Sequence, residues 1–457
     1  MDWLSILPPI IAIAIVLWKK EVILGLLVAL VSTELLLALN TADTSLLLAP
    51  INSIDRVVST VQGAGNARIL IFSLLVGALL AFIRDSGGVN AVVSKLVNSG
   101  IASSKRKAGG ITMFTGIVVF IESNLSVLSS GIMARGLFDK YKMSRARLAY
   151  VIDSTSAPIC ILILLNGWGA YILSLLSAYE LEENALVMLW SSVPFNFYAL
   201  LTLLVVAYTI FTDNVHGPMK QAEIDLERID NHIDIPKASK SRFMIIPLGI
   251  MIFGTLYFMW WTGDGNLSSG SGSRSVLYAT FIACIVGYLM LITNGKETHK
   301  SAMKIGFNGM SELLPLVTIV LLSITLGASL KVLGTGVFVA GLVGEHLPMF
   351  LILPALFIAG AIMSFTTGTS WGTFAILIPI GMPLVQTLGL PPQLVLAAIL
   401  GGGIFGDHCS PLSDTTAISS LAAGCDLLTH VKTQLPYALA VGGVTVALYA
   451  IAGLVVF

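Results

Sequence analysis

A chain of 457 residues that is 56% hydrophobic and only 11% charged, with a mean hydropathy of +0.91, is no ordinary soluble domain, where about 25% of residues are charged. Its 25 Lys and Arg balance 25 Asp and Glu, so no net charge draws it to nucleic acid. Cys160, Cys284, Cys409 and Cys425 form no C-x-x-C pair, which leaves neither a disulfide framework nor a zinc site.

The apolar runs are of helical length, enough to cross a hydrocarbon core of about 30 Å, whereas barrel strands would be about 10 residues of alternating pattern. The composition therefore predicts an all-α polytopic membrane protein, with the lipid bilayer as its first partner. The opening run, 4–18, has no basic region ahead of it and Lys19-Lys20 behind it, the reverse of a cleaved signal peptide, and reads as the first span. Spans follow at 22–39 and 69–83, separated by a polar loop with Asp43, Asp55, Arg56 and Arg68. Glu34 falls inside the second span, one turn from its end, where an interfacial position outweighs a functional one. The stretch 84–107 is basic, and its run 89–97 is too short to cross; it reads as a cytoplasmic or interfacial helix.

Segment 109–138 lies between Lys105, Arg106 and Lys107 on one side and Lys140, Lys142, Arg145 and Arg147 on the other. Both ends therefore belong in the cytoplasm, and at about 1.5 Å per residue the segment can enter and return but cannot cross twice. This predicts a re-entrant hairpin whose tip, Glu122-Ser123-Asn124, faces protein or a water-filled cavity. The fourth span, 148–178, carries Asp153-Ser154-Thr155-Ser156-Ala157-Pro158, and the fifth, 190–211, returns to a hydrophilic cytoplasmic linker at 212–242.

The second half repeats the order. Spans at 243–261, 275–293 and 313–329 lead to a short run at 334–344, then to a second hairpin at 349–388 with its tip in Ser364-Phe365-Thr366-Thr367-Gly368-Thr369-Ser370. Spans at 392–423 and 436–457 complete the chain. About 10 spans and two re-entrant hairpins thus divide into a first repeat at 1–211 with hairpin 109–138, the linker 212–242, and a second repeat at 243–457 with hairpin 349–388. Five spans per half is an odd number, so the second repeat is inverted, an architecture of secondary transporters. Local likeness agrees: residues 82–87 lie on 329–334, and Asp153 to Pro158 on Asp407 to Pro411 with one residue fewer. With both termini outside, all of the 25 Lys and Arg except Arg56, Arg68, Arg274 and Lys331 fall in the cytoplasm.

The stretch Gly406-Asp407-His408-Cys409-Ser410-Pro411-Leu412-Ser413-Asp414-Thr415-Thr416 interrupts an apolar segment, which places two aspartates at membrane depth. An unpartnered carboxylate there costs roughly 2.5–3.5 kcal/mol on insertion scales. A helix interrupted between Gly406 and Pro411 would free carbonyls beside Asp407 and the hydroxyls of Ser410, Ser413 and Thr415, a hard-oxygen environment for a small cation or a proton. The plain alternative is a helix cap, with Ser413 or Asp414 opening a helix near Thr416. His408 beside Cys409 suggests a base and a nucleophile, but neighbours on a helix point apart and no hydrolytic pattern surrounds them, so an enzyme is disfavoured.

On Ser364 to Trp371, Leu400 to Thr416 and Leu148 to Pro158, the chain resembles the NhaC-type sodium/proton antiporter family of the ion-transporter superfamily. The resemblance implies a multi-pass protein of the cell (inner) membrane with no cofactor and with Na⁺ and H⁺ as transported or coupling ions. The exchange site would comprise Glu122, Asn124, Asp153, Thr155, Thr366, Thr369, Ser370, Asp407, Ser410, Ser413, Asp414 and Thr415, with Na⁺ held by Asp153, Asp407 and Asp414. Competition of protons and cation for one buried carboxylate gives exchange through a single site. The alternative is a carrier of a small organic solute, a carboxylate or an amino acid, since the family is similar to proteins exchanging malate and lactate. Many relatives place two adjacent acids at the first hairpin tip, where this chain has Glu122 followed by Ser123. Dimeric superfamily members imply a homodimer joined through outer spans such as 22–39 and 243–261.

Overall fold

The structure, a computed structural model, describes residues 2–19, 21–40, 46–97, 102–120, 122–164, 166–176, 179, 184–226, 237–266 and 270–456. Lys20, Asp43, Ile121 at the first hairpin tip, residues 177–178 of the fourth span, residues 227–236 of the linker and Phe457 lie outside the described residues. In chain order the helices are α1 (Leu7–Lys19), α2 (Val22–Asn40), α3 (Ala49–Gln62), α4 (Ala64–Asp85), α5 (Gly88–Val97), α6 (Lys105–Val118), α7 (Ser123–Lys140), α8 (Arg145–Ser154), α9 (Ala157–Leu162), α10 (Gly167–Leu176), α11 (Ala185–Ser192) and α12 (Phe197–Thr212). There follow α13 (Pro218–Asp225), α14 (Arg242–Thr262), α15 (Gly272–Thr293), α16 (His299–Leu333), α17 (Thr335–His346), α18 (Ile352–Thr367), α19 (Ser370–Leu388), α20 (Pro392–Cys409), α21 (Asp414–Ala423) and α22 (Leu427–Val456). Among the described residues, 8 helices are long and apolar enough to cross a membrane, or up to 11 when each bent pair is one span. The protein is an all-α polytopic membrane protein.

The predicted polar loop between the second and third spans contains α3, amphipathic, with Pro50 in its first turn. Its Arg56 reaches back to α2, and Nε and Nη2 donate to Glu34 at 2.9 and 3.3 Å; Ser329 on α16 donates to the same carboxylate at 2.8 Å. Glu34 is therefore buried and neutralised by a cation that the sequence places 22 residues away. The predicted fifth span bends by 43° at Asn196, whose side chain caps α12, and α16 is a single 35-residue helix that starts well before the predicted span.

Helices α1, α2, α4, α14, α15 and α16 pack on one another as one group. Its tightest crossing is Gly77 on α4 against Gly309 on α16, where a Cβ at Gly77 would lie 2.3 Å from the Gly309 carbonyl oxygen. Small residues permit such backbone approach in lipid, where no hydrophobic force drives helices together. Phe253, Trp261, Phe281 and Leu289 point outward from α14 and α15, an apolar surface for lipid tails.

The second group is built from interrupted elements. Helices α6 and α7 form the first hairpin, and Tyr141 Oη donates to the Ala102 carbonyl at 2.6 Å, tying its two ends together. Helices α18 and α19 form the second, turning at Gly368 with φ +70°, where the left-handed conformation suits glycine. Each tip rests on a break in a span of its own half. Ser156, between α8 and α9, donates to the Ser123 carbonyl at 3.0 Å, and a Cβ at Gly368 would lie 2.5 Å from the Leu412 carbonyl oxygen, in the break between α20 and α21. That break bends the span by 45°. Helix α20 runs unbroken through Gly406 to Cys409; the interruption falls at Ser410 to Ser413, and Gly402 and Gly406, one helical turn apart, admit the backbone of α18 instead. The short α21 is held across the halves: Arg135 on α7 and Arg145 on α8 donate to the carbonyls of Leu421, Ala422 and Ala423 at its C-terminus, where cations suit the helix dipole.

Candidate functional site: a carboxylate-lined cavity between the hairpin tips

Asp407 sits in the last turn of α20 and is 2% exposed. Its carboxylate accepts hydrogen bonds from Ser370 Oγ at 2.8 Å and Ser413 Oγ at 2.6 Å. Ser370 opens α19 at the second hairpin tip, and Ser413 is the N-cap of α21, accepting from Thr416 N, so the capping role foreseen for Ser413 and the polar contact with Asp407 coexist in one side chain. Ser413 Oγ also lies 2.9 Å from Thr415 Oγ1. The break after Cys409 turns two hydroxyls of different helices onto one carboxylate.

Asp407 faces a cavity of about 420 Å³ that is also lined by Glu122, Asn124, Thr369, Asp414 and Thr415. Glu122 is the N-cap of α7; its carboxylate accepts from Asn124 N at 2.9 Å and Leu125 N at 2.6 Å. Asn124 Nδ2 donates to Asp414 Oδ2 at 3.3 Å, joining the first hairpin tip to the start of α21, while Asn124 Oδ1 has no hydrogen-bond partner among the described residues. Of the four carboxylates on the cavity, Glu312 is paired with Arg84, and the other three, Glu122, Asp407 and Asp414, repel one another unless a proton or a cation lies between them.

The remaining residues expected at the site are placed elsewhere. Asp153 is fully buried behind the cavity, accepting from Ser419 Oγ at 3.1 Å and Gln434 Nε2 at 2.7 Å, with His430 Nε2 at 3.2 Å. Gln434 also donates to the His408 carbonyl, and the His408 ring contacts Ser154 Oγ at 3.0 Å and Tyr198 Oη at 2.8 Å. The hydroxyls of Thr155, Thr366 and Ser410 donate to backbone carbonyls of Val151, Ile362 and Phe365 at 2.7, 2.8 and 2.7 Å. Among the described residues, no three His, Cys, Asp or Glu side chains converge as a metal-binding group, so a cation at Asp407 would take its other ligands from hydroxyls, carbonyls and water.

Several residues on or beside the cavity lie outside the set that the sequence singled out for the site. Arg84 on α4 and Glu312 on α16 form a two-point ion pair at 2.8 and 2.9 Å on the cavity wall, joining residues 228 positions apart. Asn166 ties the first hairpin tip to the start of α10: Nδ2 donates to the Phe120 carbonyl at 2.9 Å, and Oδ1 accepts from Trp168 N at 2.9 Å and Gly169 N at 3.1 Å. Trp371 lies against Trp168 and Tyr171, with ring centroids 4.8 Å apart in both pairs, and all three line the cavity. For Asn166, Trp168 and Trp371 the signal that could have found them is an Asn-x-Trp and a Ser-Trp each at a helix start inside an apolar span; Arg84 and Glu312 offer none.

Broken spans, hairpin tips and a buried carboxylate facing a cavity define a secondary transporter. Residues 159–454 match the Na⁺/H⁺ antiporter family, and the chain belongs to that family. It is similar to an uncharacterized protein of Haemophilus influenzae, 30% identical over 98% of this chain and 90% of that one. It is also similar to the malate-2H⁺/Na⁺-lactate antiporter of Bacillus subtilis, 39% identical over 25% of this chain and 24% of that one. Among solved structures it shares the fold of the YdaH transporter of Alcanivorax borkumensis, with a TM-score of 0.65 at 12% identity, covering 94% of this chain and 97% of that one. The protein is a multi-pass membrane transporter, of the cell membrane in bacteria, and not an enzyme.

Proposed function

We propose that the protein exchanges Na⁺ for H⁺ by alternating access, with Asp407 as the carboxylate that proton and cation share. The observation that carries this is the company Asp407 keeps. Glu34 is neutralised by Arg56 and Asp153 stands against His430, whereas among the described residues Asp407 has hydroxyl partners and no Lys, Arg or His. A buried carboxylate without a positive partner favours a mobile one, a proton or a small cation with hard-oxygen preference. Glu122, Asn124, Asp414, Thr369 and Thr415 complete the cavity. The two halves act as inverted repeats whose broken helices meet at the site, and the hairpins with the broken spans move against the remaining spans.

The cavity's volume and its wall of Trp168, Tyr171 and Trp371 favour a second reading, exchange of a small organic solute with the ions as coupling partners. Proteoliposomes loaded with a pH-sensitive dye separate the two. A pulse of external Na⁺ should alkalinise the lumen of vesicles carrying the wild-type protein and not those carrying Asp407→Asn. Proton movement that begins only when organic acid or amino acid is supplied would replace the first reading with the second.

A further inference from the structure

Helix α21 stands between two cavities. Its first residues, Asp414 and Thr415, line the carboxylate cavity. Gly424 and Cys425, just past its last turn, line a second one of about 570 Å³, which the linker helix α13 and the start of α22 complete. Thr415 and Ser419, both buried and one turn apart, share a face of α21 and reach buried acids at either end. Ser413 Oγ donates to Asp407 Oδ1 at 2.6 Å and lies 2.9 Å from Thr415 Oγ1, while Ser419 Oγ donates to Asp153 Oδ1 at 3.1 Å. One step in this series is open: Ser419 Oγ also donates to the Thr415 carbonyl, at 2.7 Å, and Thr415 Oγ1 is turned towards Ser413.

Beyond Asp153 the polar series continues onto α22. His430 Nε2 lies 3.2 Å from Asp153 Oδ2, whereas His430 Nδ1 has no hydrogen-bond partner among the described residues. Thr429 and Thr433, which flank His430 on α22, line the second cavity. The other buried histidine differs, since both ring nitrogens of His408 are engaged, by Ser154 and Tyr198. The titratable groups that face the Asp153 and His430 pair are His408, Asp407 and Cys409 of α20, with Tyr198 of α12 on the His408 ring and Tyr150 of α8 beside Ser154.

We infer that the hydroxyls of α21 and the Asp153 and His430 pair relay the proton that Na⁺ displaces from Asp407 into the second cavity, an inference that rests on reading Asp407 as the shared carboxylate. Cation and proton then use different routes to one group. Asp407 is 2% exposed and both its oxygens are held by hydroxyls, so its proton has a serine to go to before it has water. The proton passes from Asp407 Oδ1 to Ser413 Oγ, whose own proton moves to Thr415 Oγ1. A threonine in a helix divides between two χ1 rotamers, and the turn of Thr415 hands a proton to Ser419 Oγ, which gives its own to Asp153. Asp153 then protonates His430 at Nε2, and His430 releases a proton from Nδ1 to water in the second cavity. Each hydroxyl gains one proton and loses one; the net change is one proton from Asp407 to water and one Na⁺ taken up. With Ser419 on the Thr415 carbonyl the route is interrupted, which keeps it from acting as a leak.

Rapid mixing of the purified full-length protein with Na⁺ in weakly buffered detergent solution, followed with a pH-sensitive dye, reads the rate of proton release, and thermal stabilisation by Na⁺ reads binding. Ser419→Ala should slow release by about tenfold or more, the scale of a lost proton-transfer group, with its amplitude and the Na⁺ affinity unchanged. Ser419→Thr, which keeps a hydroxyl, should recover most of the rate. His430→Ala should also be slow and should regain speed when imidazole is added as a proton carrier, a rescue that a role confined to packing would not show. Release from Ser419→Ala at the wild-type rate, or equal slowing in Ser419→Ala and Ser419→Thr, would overturn the relay and leave the exchange reading in place. A wild-type protein that binds Na⁺ and releases no proton would overturn both.

Discussion

At the scale of single residues the three buried acids separate by what stands opposite them. Asp407→Asn keeps the shape and the two serine contacts, so it should leave the melting temperature in detergent near the wild-type value while abolishing Na⁺-driven proton movement. Asp153→Ala should do the reverse first: it strands His430, Gln434 and Ser419 in a buried cluster, and losing one member of a buried pair costs about 3–5 kcal/mol, read as a fall of several degrees in melting temperature. A transport-dead but fully stable Asp153→Ala would return Asp153 to the exchange site. The sequence marks Asp407, Asp414 and Glu122 as candidates because charged residues in apolar spans stand out. It cannot rank them against Asp153, since His430 and Gln434 come from α22 and lie 277 and 281 positions away.

Elements were legible where composition alone decides them. The short runs read at 89–97 and 334–344 lie in α5 and α17, and 109–138, between its basic clusters, falls within the paired helices α6 and α7, whose ends Tyr141 ties together. Cysteines introduced at Lys140 and Ser103 should therefore react alike with an impermeant thiol reagent on intact cells. Labelling of one and protection of the other would mean that this segment crosses the membrane. What the sequence hid was the use of each glycine. Gly406 sits where a helix break was expected, yet a Cβ there would lie 2.4 Å from the Ala361 carbonyl oxygen, so its work is helix approach. Gly406→Ala should cost about 1–3 kcal/mol by forcing α18 from α20. Gly443→Ala, with nothing within 4 Å of the added carbon among the described residues, should leave the melting temperature unchanged or slightly raised.

Across the whole molecule, the packed group of α1, α2, α4, α14, α15 and α16 fits a static frame, and the interrupted elements fit a unit that carries the site. Helix α19 meets α16 where Ser323 Oγ donates to the Ala375 carbonyl, so a cysteine pair at Ser323 and Ala375, joined by oxidation or by a short thiol cross-linker, probes the contact between frame and unit. Oxidation of that pair should stop transport and leave Na⁺ binding intact; full transport in the completely cross-linked protein would rule out motion at this contact. The long apolar spans were readable, because span length and charge placement are one-dimensional properties, whereas α3 in the predicted loop and the bend at Asn196 were not. The cavity was not, because seven helices, α4, α7, α10, α16, α19, α20 and α21, assemble it from separate stretches of the chain. Direct proton release on ion binding puts the shared carboxylate to the test most simply. Na⁺ added to the purified protein in weakly buffered detergent solution should acidify the medium in proportion to bound Na⁺, and Asp407→Asn should release no protons. Na⁺ binding to the wild-type protein without proton release, or undiminished release from Asp407→Asn, would contradict a site at which the two ions exchange for one another.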